Sequence, residues 1–271
     1  MAYERMEAVE QILIRVANDL AYSKYAIALT GAGVSTESGV SDYRGPSGIW
    51  TKNPEAERMA YCSYERFLES PKGWWEEKLA NPSLLGETVK VAPNPGHDAL
   101  VELGEMGILR CVITQNIDGL HEKAGTKSLI EYHGSMLKLR CTACGSRFSQ
   151  DKFDLGKLKQ ENQLPPHCPN CQGIVKTDTV AFGEPIPSDV AQQSLEEVGK
   201  CDLMLICGTS AVVYPFANLP RVAKERGTVT IIELNAEPTP LTEEGISDYL
   251  IQGRTGAILP EIVAKVKKIR K

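Results

Sequence analysis

The chain lacks the features that would assign it to a specialised class of protein. No run approaches the roughly 20 apolar residues that a membrane-spanning helix needs, so an integral membrane helix is excluded. Excess positive charge is missing too: 30 Lys and Arg stand against 35 Asp and Glu, a formal net charge of −5. A general nucleic-acid binder is thereby excluded, because its surface must be basic enough to neutralise phosphates. The first residues, Met1-Ala-Tyr-Glu-Arg-Met-Glu7, lack the basic-then-apolar layout of a secretory signal. Neither an internal repeat nor a low-complexity stretch is present. The one locally basic stretch is Lys265, Lys267, Lys268, Arg270 and Lys271. It reads as a solvated last helical turn, where cations complement the helix dipole.

What remains is an ordinary globular composition, 42% hydrophobic and 24% charged, on 271 residues. That length holds one large core plus a small satellite. Cysteine carries the sharpest signal. Cys141-Thr-Ala-Cys144 and Cys168-Pro-Asn-Cys171 form two CxxC pairs separated by 23 residues. Each pair sets two thiolates on one tight turn, and two such turns facing each other satisfy the tetrahedral preference of Zn²⁺. A redox CxxC is the competing reading; it normally occurs once, beside a βαβ unit, and two pairs in a polar stretch flanked by Gly145 and Gly173 read as structural. Four thiolates close the site, so one structural zinc is expected and the chemistry has to lie elsewhere. His167 adjoins Cys168 but is not needed as a ligand. The other cysteines, Cys62, Cys111, Cys201 and Cys207, are scattered and read as buried free thiols. Such thiols indicate a reducing compartment, so a cytoplasmic location is expected.

Residues 5–22 carry Val9, Ile12, Leu13, Val16 and Leu20 at helical spacing. Four short apolar runs then each end in a polar cluster. Tyr25–Thr30 leads into Gly31-Ala-Gly33, and Leu109–Thr114 into Gln115-Asn-Ile-Asp118. Leu203–Cys207 leads into Gly208-Thr-Ser210, and Val229–Leu234 into Asn235-Ala-Glu237. Near-continuous apolar strands are buried on both faces, which predicts a parallel sheet with helices on both sides. Ligands bind such sheets at the strand C-termini, so the four clusters are expected to converge. Two segments interrupt the pattern: residues 45–90, rich in Trp, Pro and charge (Trp50, Pro54, Trp74, Trp75, Pro82), and residues 138–178 with the cysteine pairs. Both read as insertions forming a smaller domain against the sheet, with a cleft between the two.

The glycine loop at Gly31 lets backbone N–H groups approach a pyrophosphate, with a following helix N-terminus adding its dipole. The same glycines could equally make only a tight turn. The loop lacks the third glycine of the dinucleotide fingerprint, position 36 being Thr, and no strand-end acid follows about 20 residues on. A standard dehydrogenase is therefore disfavoured. Glu237 could serve ribose hydroxyls instead.

Six segments appear in order: Gly31 to Gly45 (GAGVSTESGVSDYRG), Thr114 to His121 (TQNIDGLH), His133-Gly134, Phe182-Gly-Glu184, Gly208-Thr-Ser210 and Asn235-Ala-Glu237. With the cysteine pairs between the third and fourth, the chain resembles the sirtuins, NAD-dependent protein-lysine deacylases, over residues 10–265. The resemblance implies an α/β fold with a Rossmann-like NAD-binding domain at residues 1–44, 91–137 and 179–271. The insertions 45–90 (helical, with the cofactor loop) and 138–178 (zinc ribbon) would then form the small domain. It implies NAD as co-substrate: the acyl oxygen attacks the ribose anomeric carbon and expels nicotinamide. His133 then deprotonates a ribose hydroxyl, which closes on the acyl carbon, and Asn116 orients the ribose while Asp118 holds the carboxamide. NAD contacts are expected from Gly31, Ala32, Gly33, Glu37, Asp42, Tyr43, Arg44, Gln115, Asn116, Ile117, Asp118, His133, Gly208, Thr209, Ser210, Asn235, Ala236, Glu237 and Thr255. Val180, Phe182, Gly183, Glu184 and Val213 would receive the substrate as an extended strand.

A histidine suits the base role, its ordinary pKa lying near about 6.5. Without the resemblance, His133 before a glycine is simply a loop residue, and Asn116-Ile-Asp118 an Asx turn ending a strand. His97 reads as a helix opener and His121 as a packing residue. Ser41 stands where many sirtuins carry Pro, Tyr43 where Phe is more frequent, and Ala181 where a bulkier residue often precedes the Phe. Succinyl-type substrates are expected to be poor, because the helical insertion lacks the Tyr-x-x-Arg of members that favour acidic chains. Tolerance for longer apolar chains is expected from Ala181. The alternative is a mono-ADP-ribosyltransferase on the same fold, and a non-catalytic module is weaker because His133 is present. A monomer or weak oligomer is expected, with no membrane or nucleic-acid partner.

Overall fold

The computed structural model describes residues 2–45, 48–81 and 91–271, with side chains from Val9 onward. Pro82 and the rest of the 45–90 insertion through Lys90 lie outside the described residues. The predicted strands appear as β1 (Ala26–Thr30), β2 (Leu109–Thr114), β7 (Leu203–Cys207) and β8 (Thr230–Asn235). Two short strands escaped the apolar-run criterion, β3 (Leu129–Glu131) and β9 (Tyr249–Gln252). They form the two edges of a six-stranded parallel sheet of order β3-β2-β1-β7-β8-β9. Every residue of β1 and β7 is buried, as strands covered on both faces must be.

Helices α1 (Ala2–Tyr22), α6 (Pro95–Glu105) and α12 (Thr255–Ile269) cover one face, with Leu13, Val16, Leu20, Leu103, Ile262 and Val266 in one cluster with the strands. The predicted stripe holds except at Val9, which is 45% exposed near the free end of α1. Helices α9 (Ser188–Lys200) and α10 (Leu219–Glu225) close the other face through Val190, Val198, Leu219 and Ala223. The basic end of α12 is tied down more than a solvated turn would be. Lys265 pairs with Glu10, Lys267 with Glu102, and Arg270 donates to the Ala21 and Met106 carbonyls.

Among the described residues of the 45–90 insertion lie four short helices, α2 (Ile49–Lys52), α3 (Pro54–Tyr61), α4 (Ser63–Glu69) and α5 (Pro71–Ala80). Pro at the first turn of α3 and α5, after Asn53 and Ser70 as N-caps, fixes two of their starts. A second, antiparallel sheet of order β5-β4-β6 joins β4 (Lys138–Cys141), β5 (Arg147–Ser149) and β6 (Val175–Thr177). The two insertions share one apolar cluster, in which Phe67, Trp74 and Trp75 pack on Leu139, Cys141, Leu164, Cys168 and Val175. The Trp75 indole N–H satisfies the Val175 carbonyl at 2.9 Å. Among the described residues, no helix is long and apolar enough to cross a membrane.

Cys111, Cys201 and Cys207 are buried, and burial pushes the first two thiols up to about 11 and the third higher still. They are unreactive at neutral pH. Cys62 departs from the expectation of burial: it caps α4 and is only partly covered.

Candidate functional site

The chain winds from β1 outward to β3 and resumes at β7 on the other side of β1. The switch point of the sheet therefore lies between β1 and β7. There Gly31 N–H donates to the Cys207 carbonyl at 3.0 Å and Gly33 N–H to the Gly208 carbonyl at 2.8 Å. A Cβ on Gly33 would sit 2.7 Å from Gly208 Cα, so glycine is required for this approach. The loop does not run into an α-helix as expected. It makes two 3-10 turns, Ala32–Val34 and Thr36–Ser38. The cause is local competition for hydrogen bonds: Thr36 Oγ1 returns to the Gly33 carbonyl at 2.9 Å, and Ser35 Oγ donates to Asp118 Oδ2 at 2.7 Å. The helix end beside the loop is that of α12, whose Gly256 N–H is capped by Glu37 Oε2 at 2.7 Å.

The other strand-end clusters are tied to one another across the sheet. Gln115 Nε2 donates to Thr209 Oγ1 at 2.7 Å, and Asn235 Nδ2 to the Thr209 carbonyl at 3.0 Å. Asn116 Nδ2 reaches the Gly31 carbonyl at 3.0 Å and Ser35 Oγ at 3.1 Å. Together these loops floor a cleft of about 1010 Å³. Ala32, Gly33, Asp42, Tyr43, Arg44, Gln115, Asn116, Ile117, His133, Gly208, Thr209, Ser210, Asn235, Ala236, Glu237 and Thr255 line it, as do Val180, Phe182, Gly183, Glu184 and Val213. Three predicted residues do not. Gly31 is buried under Thr209, Glu37 faces α12, and Asp118 is buried behind Ser35 with its second oxygen on the Leu120 N–H at 2.9 Å.

His133 leaves the end of β3 half-buried, its ring edge-on to Tyr132 at 5.4 Å. Nδ1 lies 3.3 Å from the Gln115 carbonyl. A carbonyl only accepts, so Nδ1 carries the proton and Nε2 keeps a free lone pair; the tautomer is inferred from that contact. Burial pulls the imidazole below its ordinary value of 6.5, with the Gln115 hydrogen bond opposing. The ring is therefore neutral and basic at neutral pH.

The helical insertion forms the opposite wall, which the sequence did not resolve by residue. Trp50 sits 4.7 Å from Tyr43 and 5.6 Å from Phe182, and Tyr61 stacks 4.4 Å from Phe182. Arg44 lies over Trp50 at 4.5 Å. Met59, Ala60, Trp74 and Ile186 add apolar lining, and Arg66 and Lys78 also reach the cleft. Arg66 pairs with Glu77, while the Lys78 ammonium lies 4.9 Å over the Trp74 ring. The 179–184 loop is held by Lys176, 4% exposed, which pairs with Glu184 Oε2 at 3.0 Å and donates to the Thr177 and Thr179 carbonyls. His97 and His121 lie apart from the cleft, rings 4.8 Å from each other, in helices α6 and α7 (Leu120–Ala124).

The four paired cysteines come together in the small sheet, their Sγ atoms all within 4.8 Å of one another. Cys141 and Cys171 are 3.5 Å apart and Cys144 and Cys168 3.7 Å. A tetrahedron of Zn–S bonds of about 2.3 Å has an edge of about 3.8 Å, so the cage fits one zinc with no open position.

The model of the Sir2 family matches residues 31–215. A protein named NAD-dependent protein deacylase from Pyrococcus abyssi is 41% identical over 95% of this chain and 99% of its own length. An NAD-dependent protein deacetylase from Sulfurisphaera tokodaii is 42% identical over 93% of this chain and 95% of its own. A Sir2 homologue in complex with NAD has a TM-score of 0.76 at 37% identity, covering 95% of this chain and 94% of that one. Sir2Af2 bound to a myristoylated histone peptide has a TM-score of 0.68 at 36% identity, covering 96% and 98%.

Proposed function

The chain belongs to the Sir2 family, and from that premise we propose that it removes acyl groups from protein lysines by consuming NAD and one water, giving nicotinamide, O-acyl-ADP-ribose and free lysine. The observation that carries this reading is the convergence of six strand-end loops on one cleft, with the neutral His133 ring at its wall. Bound NAD supplies a ribose anomeric carbon with nicotinamide as leaving group. The residues divide the remaining work. Gly33 and Gly208 let the loops after β1 and β7 meet backbone to backbone at the cleft floor, where a pyrophosphate would lie, and Thr209, Ser210, Asn235 and Glu237 offer donors and acceptors to the nucleotide half. Asn116 is fixed by Gly31 and Ser35 to orient a ribose, and Asp118 acts from behind by holding Ser35 and the turn at Leu120. His133 Nε2 takes the proton of a ribose hydroxyl, and Tyr43 with Trp50 and Phe182 keeps water from the anomeric carbon while nicotinamide leaves; a water enters only afterwards, to release the lysine.

The substrate lies as an extended strand between 180–184 and 211–214. The first edge offers less than its length suggests, because Val180 N–H donates to the His133 carbonyl and Ala181 N–H to Glu184. Phe182, Gly183 and the exposed Val212 carry the pairing. Apolar lining at Met59, Ala60, Trp74 and Ile186 suits longer acyl chains as well as acetyl. Residues 1–44, 91–137 and 179–271 would form the NAD-binding domain, with 45–90 and 138–178 as the small domain. A cytoplasmic location agrees with the buried free thiols. Incubation with NAD and acyl-lysine peptides, read by mass spectrometry, should yield O-acyl-ADP-ribose; ADP-ribosylated peptide in its place would overturn the reading.

A further inference from the structure

Two buried carboxylates bracket the His133 turn without lining the cleft. Glu131 ends β3 two residues before His133 and is 7% exposed; Asp178 follows β6 and is 1% exposed. Asp178 Oδ2 accepts the Ser135 N–H at 3.0 Å, and Val180 N–H donates to the His133 carbonyl at 2.9 Å. The turn is thus tied to the 178–180 segment on both sides of Gly134. Gly134 has φ +71°, and a Cβ there would come 2.0 Å from the Asp178 carbonyl, so the turn lies flat on that backbone.

Buried carboxylates have to be paired, and their countercharges come from the cysteine-bearing sheet. Arg140 Nε donates to Asp178 Oδ1 at 2.7 Å. The Arg147 guanidinium contacts Asp178 and also Glu131 Oε2, the latter at 2.6 Å. Lys138 adds a third cation, 3.0 Å from Glu131. Arg140 and Arg147 are register partners across β4 and β5, so they project from one face, and Arg140 adjoins the zinc ligand Cys141.

We propose that Asp178 is a positioning residue for His133: it fixes the turn that carries the base and draws its countercharge from Arg140 and Arg147, so the four-cysteine sheet governs the base through an ion network that never enters the cleft. The proposal rests on the reading of His133 as the base. Displacing a catalytic group by about 1 Å can cost about 10² in rate.

The test compares zinc-loaded wild type with Asp178→Ala, Arg147→Met and Arg147→Lys, using NAD, an acetyl-lysine peptide, metal content and amide exchange. Asp178→Ala should lower kcat by about 10–100-fold, leave the KM for NAD within about twofold and keep the zinc. It should also expose the Ser135 amide to exchange. Arg147→Met, at a partly exposed position that leaves Arg140 in place, should fold and lose less. Arg147→Lys should recover most of that loss, since one ammonium still serves a carboxylate. The proposal is overturned if kcat in both Asp178→Ala and Arg147→Met stays at the wild-type value, if kcat falls only in step with zinc loss, or if Arg147→Lys is no better than Arg147→Met. Unchanged Ser135 exchange in Asp178→Ala overturns it whether or not the protein turns over. Absence of nicotinamide release by wild type would instead sink the deacylase reading.

Discussion

At His133 the hydrogen-bond geometry sets the chemistry. With Nδ1 held on the Gln115 carbonyl, only Nε2 can accept a proton from the cleft. His133→Ala should therefore reduce nicotinamide-coupled deacylation by about 10²–10⁴ while NAD still binds, because the glycine loop and Thr209 are untouched. Stopped-flow binding and steady-state turnover on one preparation would separate the two. Unreduced turnover in the variant refutes the assignment. The pH profile carries a sign as well. Burial lowers the pKa of His133 and the base works deprotonated, so the acid limb of kcat/KM should fall below pH 6.5. A limb centred above 6.5 contradicts the burial argument.

At the scale of elements, His97 and His121 show what buried imidazoles do to stability. His121 Nε2 meets Thr30 Oγ1 at 2.9 Å, and burial pulls its pKa to about 3 from an ordinary 6.5. The unfolded chain then binds more protons below pH 6.5. Stability is complete above that value and drains away as pH falls towards about 3. His121→Gln, which cannot titrate, should flatten the decline of melting temperature over that window; an unchanged slope would assign the decline to other groups. The cysteine sheet makes a second case. Cys141→Ala opens the zinc cage and loosens the cluster of Trp75, Leu139 and Val175. A loss of about 3 kcal/mol would lower the melting temperature by roughly 6–12 °C, with activity falling alongside; a variant as stable as its parent refutes a structural zinc. Legibility followed the same physics. The strands at 26–30 and 203–207 were readable because burial on both faces leaves an uninterrupted apolar run. The edge strands 129–131 and 249–252 are short and only partly buried, and left no such run. The cysteine cage was readable because spacing alone encodes it. The two 3-10 turns after Gly31 depend on where Ser35 and Thr36 find partners, and Asp118 is an acceptor from across the fold.

Across the whole molecule the cleft has a parallel sheet on one side and the aromatic helical insertion on the other, so its far wall was the part least legible in the sequence. The expected rejection of acidic acyl chains assumed that no cation meets the terminal carboxylate. Arg66 and Lys78 both line the cleft; Glu77 pairs with Arg66 and also acts on Lys78 through space. Spacing within the insertion did not show this, because α4 and α5 bring Arg66 and Lys78 together from separate turns of chain. A succinyl carboxylate that reached this wall would meet those cations. Chain length is the firmer variable. Met59, Ala60, Trp74, Ala181 and Ile186 present carbon to a volume of about 1010 Å³, and each buried methylene contributes about 0.8 kcal/mol. Four methylenes that stay inside are worth about 3 kcal/mol, close to two orders of magnitude in affinity. On one peptide, KM should fall from acetyl through butyryl and hexanoyl to octanoyl, with kcat changing little because the added contacts form in the ground state as well. Met59→Ser should flatten the series without altering acetyl turnover. A KM that rises from acetyl to hexanoyl would show that Phe182, stacked on Tyr61, closes the channel rather than lining it.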